Sequence, residues 1–374
     1  MILYSIFWFV FFSFSLVSVF LIQESRKKIL IMSTIFLVLI IGLRYYSAND
    51  YESYVWLFEI SPLIGDEFTK FQSVPAELGF VLINSFFKSI GLESYIFFFL
   101  LALMSVGLKV KVLTKLSSLP IVSLFIYFSL VFYNSEFIQI RWALALSIIF
   151  MAMYFFTVED YLKTFFLLSL SCFIHVTSLV FFPVFLFSFF IIKMKLINHL
   201  VVVTFFSFIF SFFFNVVEYL DSIPLFGYEG YFFIKLKSYI SNVEESISWH
   251  VSLRYFLSFL LVFFTYYYQF GFSKKKEQTV WGIDAIYVVF YSSVLVCFLF
   301  LSFPVFSNRL FVFSDFVFSI IFINFIMKRD GFIKKVLLFL LVLLVFLFYG
   351  ILLQNSMFNK EYLYEYKTWL GVVF

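Results

Sequence analysis

Apolar runs of roughly 15–24 residues follow one another along nearly the whole of this 374-residue chain, broken by short polar turns. A helix needs roughly 20 residues to cross ~30 Å of hydrocarbon, so runs of this length read as membrane spans rather than the core helices of a soluble domain. The composition agrees: 64% of the residues are hydrophobic and 13% charged, against about a quarter charged in an ordinary soluble domain. Spans are expected near 1–22, 29–43, 95–113, 119–133, 137–157, 162–176, 177–192, 196–217, 251–270, 280–303, 309–327 and 333–353. The fold expected is therefore an all-α polytopic membrane protein of about twelve spans (roughly 11–13), forming a single transmembrane domain over 1–374. Residues 1–22 lack a basic start and a small-residue cleavage site, the pattern of a retained first span. The short segment 78–92, interrupted by Lys88, reads as a re-entrant or interfacial helix. Cys172 and Cys297 both fall inside apolar runs and read as packing residues.

Short cytoplasmic loops carry the excess of Lys and Arg. The turns "ESRKK" at 24–28, "KVKVLTK" at 109–115, "KMK" at 193–195, "KKKE" at 274–277 and "KRDGFIKK" at 328–335 share one side only if 162–192 crosses twice and 78–92 does not cross. Both termini are then outside, together with two larger external loops at 44–77 and 218–250.

On this topology the cytoplasmic basic residues are nearly all Lys, while Arg44, Arg141, Arg254 and Arg309 sit at the outer ends of spans. Lysine serves as a hydrated point charge, whereas arginine offers a planar fork matched to phosphate oxygens. Lysines that orient the chain and arginines that bind an anion account for the split. Taken singly, each arginine also reads as a snorkelling anchor. Arg141 lies inside a span, where an ionisable group is costly and faces a cavity or a partner; Glu136 or Asp50 would serve as an ion-pair partner. His175, in "CFIHVTSLVFFP", falls between two spans at the outer level, where an imidazole either accepts a proton or simply packs. Asp50, followed by Tyr51 and Tyr54, has the groups to hold a sugar by hydrogen bonds and ring stacking, though carboxylates and aromatic rings populate any membrane interface. No Gly-rich phosphate loop, HExxH, nucleophile elbow or Asp-rich motif occurs, so neither a metal nor a cofactor is expected, and nothing points to nucleic acid.

"GLRYYSANDYESY" at 42–54 resembles the Arg–Tyr…Gly–x–Asp–Tyr…Tyr signature of EpsG-like and Wzy-type polysaccharide polymerases. "ELGFVLIN" at 77–84, "IRWALALSIIF" at 140–150 and "IHVTSLVFFP" at 174–183 follow in the family's order, resembling its Glu–x–Gly–Phe, Arg–Gln–x–x–Ala and His–x–Ser segments. Ala48 stands where the family usually has Gly, and Trp142 where Gln commonly follows the Arg. The resemblance covers roughly residues 1–190. It implies a metal-independent glycosyltransferase at the outer face of the bacterial inner membrane. This would join repeat units of O-antigen or a related surface polysaccharide, with undecaprenyl-pyrophosphate-linked oligosaccharide as donor and acceptor. The surrounding partners would be membrane lipid and a chain-length regulator protein. Arg141, Arg309, Arg44 and Arg254 would then hold the pyrophosphate, and His175, Asp50 or Glu77 would take the acceptor proton. Two rivals share the lipid-linked substrate: a flippase, which should carry charged or Gly/Pro-broken midplane sites, and a ligase, against which only the motif order speaks.

Overall fold

The computed structural model describes residues 2–210, 249–267, 281–301, 304–328, 331–345 and 364–373. The second loop expected at 218–250 and the Lys-rich turn at 274–277 lie almost wholly outside them. Among the described residues all regular structure is helical, apart from one antiparallel bridge between Arg44 and Thr368. In chain order the first helices are α1 (Ile2–Phe20), α2 (Gln23–Gly42), α3 (Tyr51–Ile60), α4 (Phe68–Ser73), α5 (Leu78–Ser89), α6 (Ser94–Leu116) and α7 (Pro120–Val131). A π-helical segment, Phe132–Ile138, leads to α8 (Ile140–Thr157) and α9 (Tyr161–Ile174); a 3₁₀ turn, Val176–Val180, leads to α10 (Phe181–Lys193) and α11 (Ile197–Phe210). The last long helices are α12 (Trp249–Tyr266), α13 (Trp281–Leu299), α14 (Pro304–Met327) and α15 (Gly331–Val345).

Five helices among the described residues are long and apolar enough to cross a membrane: Leu3–Phe20, Ser94–Leu116, Ile140–Thr157, Val176–Lys193 and Phe306–Met327. Several shorter apolar helices accompany them, Leu78–Ser89 and Pro120–Val131 included. The chain forms two compact units, one drawn from Met1–Tyr154, Ser169–His175 and Ile323–Phe374, the other from Phe155–Leu168 and Val176–Phe322.

In the first unit α1 packs on α2, α7 and α15, while α2 lies along α6. The α2–α6 approach depends on Gly42, where an added Cβ would stand 2.5 Å from the Phe99 ring. The stretch 44–77, expected as an open loop, carries α3 and α4. Tyr51, Tyr54, Leu57 and Phe58 recur at helical spacing and are all buried, which is what holds α3 down. Tyr51 meets the Phe98 ring at 5.3 Å and Phe58 stacks on Phe97 at 5.3 Å. Lys88, near the end of α5, donates to the backbone carbonyls of Glu59 and Ser61, so a cation satisfies two orphan acceptors at the C-terminus of α3. Ser89 accepts from the Ile64 N–H at 2.8 Å, which ties the same end of α5 to the same region.

Two ends of this unit are sorted by hydrogen bonds. Asn324 accepts from the Ser118 N–H (2.7 Å) and hydroxyl (2.9 Å) and donates to the Leu116 carbonyl (2.7 Å), so the end of α6 and the last turns of α14 lie together. Elsewhere the segment 364–369 runs beside 43–47: Tyr45 donates to Lys367, Tyr364 to Ser47, and Trp369 to Leu43, each through backbone N–H groups.

In the second unit α10, α11 and α12 pack on α13. The expected pair of spans over 162–192 resolves into two antiparallel helices. Tyr161 meets Phe189 at 4.9 Å and Phe165 stacks on Phe182 at 6.2 Å, so the chain reverses at His175 and the 3₁₀ turn.

Candidate functional site

Glu77 precedes the first turn of α5 and is 8% exposed. Arg141, the second residue of α8, brings Nη1 to 2.5 Å from its Oε2. Phe80, one turn along α5 from Glu77, lies under the same guanidinium at 5.6 Å. One helix thus offers a carboxylate and a ring face to a single arginine, a geometry that fixes both the position and the plane of the fork. The next residue, Trp142, is fully buried and meets the His175 ring edge-on at 5.4 Å. His175 is 5% exposed and closes the last turn of α9 through its N–H to Ser171 O at 2.9 Å. Gly79 presses on the same turn: an added Cβ would stand 2.5 Å from the Phe173 carbonyl oxygen and 2.8 Å from its carbon. The segments at 77–80, 141–142 and 173–175 therefore meet at one place.

The Gly79 contact gives a first prediction. Backbone atoms of a packed helix cannot yield as a flexible side chain would, so Gly79→Ala should push α5 off α9, at a cost of about 1–3 kcal/mol. A lower midpoint of thermal unfolding in detergent checks this, and an unchanged midpoint would remove the packing role.

Below Arg141 lies a second charged pair. Lys109 Nζ stands 2.7 Å from Glu136 Oε1, with side-chain exposures of 0% and 1%. The ammonium also donates to Ser105 Oγ at 2.7 Å, Ser147 Oγ at 2.6 Å and the Ala143 carbonyl at 3.0 Å. At 1.5 Å per residue Ser105 and Lys109 lie ~17 and ~22 Å along α6 from Ser94. The first turns of α8 are therefore level with the middle of α6.

The EpsG family model matches residues 27–368. The chain belongs to the EpsG family. No curated protein and no solved structure matches it. All three converging segments of this EpsG-family chain fall inside the matched range.

Of the other site residues expected for this EpsG-family chain, Arg44 is 2% exposed, its guanidinium 4.9 Å from the centre of the Phe137 ring and its Nη1 donating to Ile41 O at 2.5 Å. Among the described residues no carboxylate pairs with it, and its Nε has no hydrogen-bond partner. The phenols around it supply no counter-charge: burial raises Tyr51, and burial pushes Tyr366 up to about 12 against the opposing pull of Arg44. Asp50 is half-buried at the start of α3. Tyr51 and Tyr54 are 1% and 7% exposed and spend their ring faces on packing, Tyr54 against Phe80 and Phe98; Tyr46 and Trp56, at 40% and 49%, are the open rings nearby. Arg254 lies in the second turn of α12, and Arg309, half-buried, in the second turn of α14, both in the second unit. No group of three or more metal-ligating side chains occurs among the described residues.

Two findings depart from what the residue pattern led one to expect. Arg141 pairs with Glu77 and not with Glu136 or Asp50, the two partners expected for it, and Glu136 belongs to Lys109. Lys109 itself, grouped above with the orienting lysines of "KVKVLTK", is enclosed by protein, whereas Lys111 is exposed. The signal was present: Ser105 and Lys109 stand four apart on one face of an apolar run, as do Ala143 and Ser147.

Proposed function

We propose that this EpsG-family protein polymerises oligosaccharide repeat units carried on undecaprenyl pyrophosphate, transferring the growing glycan to the next unit at the outer face of the inner membrane. The observation that carries this is the Arg141–Glu77 pair, built where three family-like segments converge beside His175. An acceptor hydroxyl attacks the donor's anomeric carbon, a C–O glycosidic bond forms, the bond to pyrophosphate breaks and its electron pair leaves with the lipid pyrophosphate. Arg141 stabilises the charge that develops on the leaving group. In doing so it exchanges Glu77 for pyrophosphate, which frees a carboxylate beside the reacting centre only once donor is bound. His175 takes the acceptor proton in this scheme, with Glu77 and then Asp50 as the next candidates. Arg44 adds fixed positive charge in the same unit, and Tyr51 and Tyr54 support the sugar-facing wall.

Membership in the family supports a polymerase-like role in polysaccharide biosynthesis. The proposed arrangement is one membrane domain of about twelve crossings with both large loops outside. It draws support from the ends of α6 and α14, joined by Asn324 with Lys115 in the one and Lys328 directly after the other, and from the C-terminal segment beside 43–47. Deleting the gene and resolving surface polysaccharide on a gel tests the function: single-repeat products are expected. Loss of all attached units would mean a ligase, and cytoplasmic accumulation of lipid-linked units a flippase.

The orientation yields a second prediction. A cysteine placed at exposed Lys70 should react with an impermeant reagent in intact cells, and one at exposed Lys195 should not. The reverse pattern would invert every site assignment.

A further inference from the structure

The cluster of Lys109, Glu136, Ser105 and Ser147 takes no part in the transfer described above. Its contacts nevertheless tie together three elements. Lys109 and Ser105 belong to α6, Glu136 to the π-helical segment, and Ala143 and Ser147 to the first turns of α8. Ser105 Oγ lies 2.9 Å from Glu136 Oε2 and 3.0 Å from Ser147 Oγ, so the carboxylate, the ammonium and both hydroxyls form one closed set. An enclosed ion pair contributes little net stability compared with apolar residues of the same shape, and its best-attested use is to fix register. Here the register at stake is that of α8. Arg141 stands between Glu136 and Ala143, both of which the cluster holds. A slip of one residue would turn its side chain by about 100° around the helix, away from Glu77. The π-helical segment, whose wide turn is typical of functional sites, is the place where such a slip would be absorbed.

We propose that Lys109 is a positioning residue: through Glu136 and the Ala143 carbonyl it locks the π-helical turn and the register of α8, and so aims Arg141 at the reacting centre. The effect on turnover rests on the polymerase reading; the geometric claim does not.

The test removes both charges together, Lys109→Met with Glu136→Gln, so that neither is left enclosed and unpaired. Wild type, the double variant and Ser147→Ala are purified in lipid nanodiscs with 5-fluorotryptophan, and the Trp142 ¹⁹F resonance is assigned by Trp142→Phe. In the double variant that resonance is expected to shift or split while those of the other tryptophans hold. Polymerisation should fall about 10²-fold, mainly in kcat, as a misplacement of about 1 Å produces. Ser147→Ala, which keeps both charges and removes one acceptor of Nζ, should change both readouts in the same direction and less. A wild-type Trp142 resonance and wild-type turnover in the variants would overturn the proposal. Should the double variant fail to fold, Ser147→Ala decides by the same two readouts. Should wild type itself make no polymer, the polymerase reading fails and the Trp142 resonance alone decides the positioning claim.

Discussion

Arg141→Lys is expected to insert and accumulate like the parent protein and to make single-repeat products only. Lysine keeps the charge beside Glu77, so the buried carboxylate retains a counter-ion. What it lacks is the planar two-pronged donor set that lies over Phe80 and matches pyrophosphate oxygens. Loss of one preorganised donor to a developing charge lowers turnover about 10²–10³-fold. Arg141→Ala makes a sharper contrast, because it leaves Glu77 without its cation in a site only 8% exposed. Breaking such a pair destabilises by about 3–5 kcal/mol, so this variant should be lost from the membrane as well as inactive. A polymer ladder of normal length and amount from the lysine variant would reduce Arg141 to an anchor for α5.

His175→Gln carries the other large effect. Glutamine retains hydrogen-bonding capacity next to Trp142 but cannot accept a proton at neutral pH, and removal of a general base lowers the rate about 10²–10⁴-fold. The variant should bind donor lipid and release no long product in a purified assay. Near-normal polymerisation would pass the role to Glu77, which accepts a hydrogen bond from Arg141.

The all-helical, apolar architecture was legible because a membrane imposes length and apolarity on a span, and five of the described helices meet both demands; the break at His175 was legible because 162–192 is too long for one untilted crossing. Two members of the candidate site stood out in the sequence, because Arg141 and His175 are ionisable groups in apolar runs; Glu77, in the expected loop 44–77, was singled out only by the Glu–x–Gly–Phe resemblance. Their pairing was not legible. Glu77 lies 64 positions before Arg141, and the two meet only through tertiary packing of α5, which rests on α3, α4, α6 and the end of α9. Nothing in hydropathy distinguishes that arrangement from an open loop, because Tyr51, Tyr54 and Phe58 suit an interface as well as a core. Lys109 shows the same limit from the other side. A lysine near the end of a span is ordinarily a topology marker, and its partner Glu136 lies beyond the next helix. The level at which α8 packs on α6 likewise follows from the Ser105 and Lys109 contacts with Ala143, which no local pattern reports.

The reaction proposed for this protein is the formation of glycosidic bonds between lipid-linked repeat units. Purified protein in liposomes loaded with undecaprenyl-pyrophosphate-linked repeat units, with no other protein and a chelator present, tests it directly. A ladder of glycans spaced by one repeat is expected, with one lipid pyrophosphate released per bond formed. Units that remain single while moving between the leaflets would contradict it.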